Sequence, residues 1–125
     1  GDEMPTIQNK LEWTDALEKI IILTKSGNLN WSKNQFLTSI RENDSVDIIY
    51  STSVMNHIII VYEYRYKKYS DEDNWDWDNE VAIEFVDLEG NLEWQWPTMP
   101  NRFNLIDAIR YNISGAGNFL RDFLK

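Results

Sequence analysis

From Trp13 to Thr24 the hydrophobic positions fall at helical spacing: Trp13, Ala16, Leu17, Ile20, Ile21 and Thr24 line one face. Ile7 and Leu11 extend that face upstream, which leaves two starts in competition, Thr6 after Pro5 and Thr14 before Asp15. Lys25 suits the negative end of the helix dipole and Gly27 a left-handed cap, so the helix ends there. The period then drops to two. Leu29 and Trp31 alternate with polar residues in a short strand over residues 28–33. Residues 34–44 fit either one turn of helix, through Phe36, Leu37 and Ile40, or an irregular strand, and residues 42–45 read as a turn. Residues 46–54 form a strand, and Met55 and Asn56 turn it into the longest one, His57 to Tyr69.

That strand is the centre of the pattern. Ile58 to Val61 are β-branched, stiff at χ1 and suited to a pleated surface. Beyond them Tyr62, Tyr64 and Tyr66 alternate with Glu63, Arg65 and Lys67. A strand buried on both faces at its start and on one at its end belongs inside a covered antiparallel sheet. Residues 70–79 join it as a loop to a strand over residues 80–86, and Gly90-Asn91 marks the next hairpin. Leu92, Trp94 and Trp96 then alternate with polar residues until Pro97 stops the strand.

Helical spacing returns after residue 101. Ile106, Ile109, Ile113, Ala116, Leu120 and Phe123 keep one phase, which predicts a single helix of about six turns. Gly115 and Gly117 lie inside it at about 1 kcal/mol each relative to alanine, so a kink or a break is the alternative, and close approach to another backbone is their use. The predicted fold is α+β: one antiparallel sheet of about five strands with N- and C-terminal helices packed on one face. No repeat or linker divides residues 1–125, which are expected to form a single domain.

The terminus of the first helix (Thr24-Lys25-Ser26-Gly27-Asn28-Leu29-Asn30-Trp31), the strand block, and a last helix beginning Leu105-Ile106-Asp107-Ala108-Ile109-Arg110 together resemble a loose class of small acidic bacterial and phage proteins of unknown function. The likeness implies the same helix–sheet–helix order and a bacterial, cytoplasmic, non-enzymatic protein. It carries no functional residues over to this chain.

Composition narrows the chemistry. With no cysteine, thiol catalysis, thiolate metal sites and disulfides are excluded, while the compartment stays open. The longest apolar run is Ile58 to Tyr62, too short for a membrane span. No signal-peptide pattern is present, although a first residue of glycine leaves room for a cloning remnant or a removed targeting segment. Acidic residues outnumber lysine and arginine 21 to 12, for a net charge of −9. Direct binding to a phosphate backbone is therefore not expected, and a partner with a basic surface is.

Asp71, Glu72, Asp73, Asp76, Asp78 and Glu80 crowd one loop, and residues 70–101 hold no lysine or arginine. Calcium needs converging oxygens, but the EF-hand frame fails. Starting at Asp71, position six is Asp76 and position twelve Ala82; starting at Asp76, they are Val81 and Asp87. A solvated loop is the plain reading. Trp75 and Trp77 in the same loop either fold back on the sheet or act as partner anchors. Trp31, Trp94 and Trp96 read as core residues, His57 as a strand-end residue, and Glu63 as a cross-strand partner of basic neighbours rather than a general acid.

These readings predict no catalytic residue, no metal and no cofactor. The expected function is a small acidic, non-enzymatic, protein-binding domain of the immunity, antitoxin or inhibitor kind. Its expected contact residues are Asp71, Asp73, Trp75, Asp76, Trp77 and Asp78. The alternative is a small-ligand or carbohydrate binder that uses the sheet and loop tryptophans.

Overall fold

A computed structural model describes residues 7–34 and 45–125. The ambiguous stretch after Asn34, with most of the turn expected at 42–45, lies outside the described residues. Contacts divide the chain into two compact units: residues 1–31 with 96–125, and residues 32–95.

The first unit is helical. Helix α1 spans Ile7–Lys25, so Thr14 is an interior residue and not a start; its hydroxyl donates to the Lys10 carbonyl one turn back. The buried stripe is narrower than the spacing implies. Leu17, Ile20, Ile21 and Thr24 are buried, whereas Leu11 and Ala16 are exposed. Gly27 takes φ +80°, which lets the Asn28 and Leu29 N–H groups turn back to the Leu23 carbonyl. Thr24 ties that corner together. Its hydroxyl donates to the Ile20 carbonyl at 2.8 Å and accepts the buried Trp31 indole N–H at 2.9 Å.

Helix α2 (Arg102–Ser114) packs on α1 and buries Leu105, Ile106, Ala108 and Ile109. Two asparagine amides cross between them: Asn112 donates to the Thr24 carbonyl at 3.0 Å, and Asn101 to the Thr14 carbonyl at 3.4 Å. The predicted six-turn helix is broken. Gly115 adopts φ +75°, and helix α3 (Ala116–Phe123) starts afresh with no buried residue. Leu120 and Phe123 thus leave the core face that their spacing suggested, and Phe119 stacks on Phe123 at 5.3 Å. Neither glycine meets another backbone: Gly115 has open space beside it, and at Gly117 a Cβ would lie 3.2 Å from the Tyr111 hydroxyl, a side chain. Among the described residues no helix is long and apolar enough to cross a membrane.

The second unit is one antiparallel sheet. Its strands are β1 (Ser32–Lys33), β2 (Ser45–Val46), β3 (Tyr50–Val54), β4 (His57–Tyr69), β5 (Trp75–Val86) and β6 (Leu92–Gln95). They run in the order β1-β3-β4-β5-β6, with β2 also on β4. The strand expected over residues 28–33 survives only as β1. The one expected over 46–54 is interrupted: Val46 faces Tyr64 and Tyr50 faces Val61, so four steps on one side match three on the other. That extra residue is a bulge, pinned by the Asp47 N–H on the Glu63 carbonyl. It is why six strands replace about five. Met55 and Asn56 take φ 50° and 66°, the backbone of a tight two-residue hairpin turn.

Alternation along β4 gives the sheet two unlike faces. On the tyrosine face Ile60, Tyr62, Ala82 and Val86 join Ile49 in a core cluster, flanked by Val46, Ile58 and Tyr64. On the other face Tyr50, Ile59, Val61, Val81 and Ile83 are buried. Burial of an isoleucine or valine contributes roughly 1.5–3 kcal/mol, so this inner half is what holds β4 in place. Trp31 and Trp96 are buried as expected. Trp94 is not: on edge strand β6 it is 45 % exposed and lies over Phe85, ring centroids 6.2 Å apart.

Candidate functional site

Strand β5 begins at Trp75, so half of the loop expected over residues 70–79 is strand. Trp75-Asp76-Trp77-Asp78 is itself a period-two pattern with bulky aromatics at alternate positions, which suits a pleated ribbon. Only Ser70 to Asn74 turn the chain, and Asp71 builds that turn. Its Oδ1 accepts the backbone N–H groups of Asp73 and Asn74, both at 2.9 Å, and the Asn74 amide reaches both carboxylate oxygens. The Asn74 amide, followed by the Asp73 N–H, holds the Asp71 carboxyl below the ordinary carboxylate value.

Past Arg65, β4 pairs with β5 and no other described strand. Among the described residues the outer hairpin is therefore a two-stranded ribbon, an arrangement that side-chain pairs must stabilise. Its register fixes which ones meet. Tyr69 faces Trp75, Lys67 faces Trp77 and Arg65 faces Asn79; between them Lys68 faces Asp76, Tyr66 faces Asp78 and Tyr64 faces Glu80.

The tryptophans and the carboxylates consequently lie on opposite sides. On the indole face Trp75 and Trp77 meet edge to face, centroids 5.3 Å apart and planes at 82°. Lys67 Nζ lies 4.5 Å from the Trp75 centroid and 6.0 Å from that of Trp77, and the Arg65 guanidinium carbon 5.6 Å from Trp77. Such contacts are worth about 0.5–1 kcal/mol each at an exposed site. Trp75 and Trp77 remain 40 % and 51 % exposed. On the tyrosine face Asp78 accepts a hydrogen bond from the Tyr66 hydroxyl at 3.3 Å and lies 3.8 Å from Lys68 Nζ.

Of the six expected contact residues, the fold brings Trp75 and Trp77 together. It turns Asp76 and Asp78 to the reverse side and leaves Asp71 and Asp73 in the turn. Arg65, Lys67 and Tyr69 share the indole face and are absent from the expected set. The signal for them was the alternation of residues 75–78, which continues in phase with Val81 and Ile83.

His57 is exposed beside the Met55-Asn56 turn, 4.9 Å from the Phe85 ring. Glu63 is half-buried opposite Val81. Among the described residues no group of three histidine, aspartate or glutamate side chains is placed to hold a metal ion. Comparison of the chain with protein-family models, with curated proteins and with solved structures finds no match.

Proposed function

We propose that this chain is a non-enzymatic protein-binding domain, an inhibitor, antitoxin or immunity partner, that makes contact through the outer β4–β5 ribbon. One observation carries the reading: two half-exposed tryptophans stand side by side on a ribbon that no third described strand supports. Tryptophan is among the residues that dominate binding hot spots, and a rigid strand presents it at low entropic cost. The resemblance to small acidic bacterial and phage proteins supports a cytoplasmic setting.

The ring geometry favours a protein over a sugar. Stacking a sugar needs one open, flat aromatic face. Here the indole planes are nearly perpendicular, and Lys67 sits over Trp75.

The test is a kinetic comparison on a partner captured by the intact chain. Trp75→Ala or Trp77→Ala should raise its dissociation rate by a factor worth about 2 kcal/mol, the scale of a true anchor. Leu88→Ala, at a 90 % exposed turn position, should leave it unchanged. Unaltered binding by both tryptophan variants, with the ribbon still folded by its amide spectrum, would overturn the proposal.

A further inference from the structure

We infer that the partner segment seated on Trp75 and Trp77 is acidic, an inference that rests on the protein-binding reading above. The chain is strongly acidic, yet its indole face is not. From Arg65 to Tyr69 and from Trp75 to Asn79 that face carries two cations, Arg65 and Lys67, and no carboxylate. The carboxylates of the same ribbon, Asp76, Asp78 and Glu80, occupy the reverse side with Lys68. The first carboxylate inward on the indole face is Glu63.

Exposure separates the two sides further. Arg65, Lys67, Tyr69, Trp75, Trp77 and Asn79 are all exposed; on the reverse side Lys68 and Asp76 are exposed too, whereas Tyr64, Tyr66, Asp78 and Glu80 are half-buried. The more open side is the cationic, aromatic one. The net charge of the whole chain therefore misstates what a partner meets at the indoles.

The cations retain donors for a ligand. A lysine has three N–H groups and an arginine five, and lying over a ring uses the charge rather than all the hydrogens. Arg65 and Lys67 stand two residues apart on one strand, about 7 Å at the rise of a β-strand. An extended segment with carboxylates at alternate positions has the same repeat. Apolar side chains beside those carboxylates would rest on the exposed indole edges. A basic segment would instead meet two like charges, which electrostatic complementarity penalises. The exposed Glu72 and Asp73 at the tip confine the favourable patch to the ribbon.

The test uses three probes on the ¹⁵N-labelled chain: a short peptide alternating Glu and Leu, its counterpart alternating Lys and Leu, and an oligothymidylate. The acidic peptide should shift the indole N–H signals of Trp75 and Trp77. Its affinity should fall about tenfold or more with Arg65→Glu and Lys67→Glu together, and fall again at high salt. Asp76→Lys with Asp78→Lys should not weaken it. Indole shifts from the basic peptide alone would overturn the acidic assignment and leave the protein-binding reading intact. Tighter binding of the oligothymidylate at the same indoles would overturn it in favour of a nucleic acid. Silence from all three probes would overturn it too, and the protein-binding reading falls with it only if Trp75→Ala and Trp77→Ala also leave a captured partner unaffected.

Discussion

Tyr62 donates its phenolic hydrogen to Glu84 Oε2 at 2.8 Å, and both residues are buried on the tyrosine face of the sheet. They are offset neighbours rather than a directly opposed pair, since Tyr62 faces Ala82 and Glu84 faces Ile60. A small residue opposite Tyr62 thus leaves room for its ring to lean along β5 toward the carboxylate. The hydroxyl answers a polar group in an otherwise apolar cluster of Ile49, Ile60 and Val86.

Tyr62→Phe removes the donor and keeps the ring, so it should cost about 1–3 kcal/mol of unfolding free energy. Glu84→Leu leaves the phenol without this acceptor and should also destabilise. The two together should cost less than the sum of the separate losses, because the bond between them can be lost only once. Urea unfolding of the four proteins checks this. Additive losses would mean that the bond contributes little.

The two glycines of the C-terminal segment should respond differently to alanine. Gly115 holds a left-handed conformation in open space, so Gly115→Ala should cost roughly 1–2 kcal/mol from backbone strain alone. Gly117 has ordinary helical backbone, and alanine there gains up to about 1 kcal/mol of helix propensity. Its Cβ must push the Tyr111 hydroxyl from 3.2 Å, so the propensity gain and the displacement should largely cancel. Thermal unfolding should therefore rank Gly115→Ala clearly below Gly117→Ala. A reversed order would argue against the break at Gly115.

Acid should loosen two turns before it reaches the core. The Asp71 carboxyl is held below its ordinary value first by the Asn74 amide, and that of Asp87 first by the Asn91 N–H. A depressed folded value means that the stabilising bonds are fully present above the unfolded carboxyl pKa of about 3.9 and are lost as pH falls through the lower folded value. The amide signals of Asp73, Asn74, Glu89 and Asn91 should move in that acidic window. Asp71→Asn should abolish the movement at Asp73 and Asn74 and leave the Asp87 turn titrating. Movement of those amides above pH 5 would contradict the assignment.

Part of this protein is legible from residue order alone. Helical spacing in residues 13–24, the β-branched run Ile58 to Val61 and the two hairpin turns each express a local preference that the structure keeps. The phase of an alternating strand also states which side chains share a face, and Trp75-Asp76-Trp77-Asp78 contained that information. What it could not state is which residues of another strand lie opposite. The β4–β5 register is settled by the pairing of Ile59 with Phe85 and Val61 with Ile83 in the buried half, and that choice carries outward to set Lys67 against Trp77. Only then do two cations and two indoles become one surface, with the carboxylates beside them in sequence on the other. The break at Gly115 was also beyond periodicity. Spacing reports where an apolar face would point if the helix continued, whereas one positive φ turns Leu120 and Phe123 out to solvent.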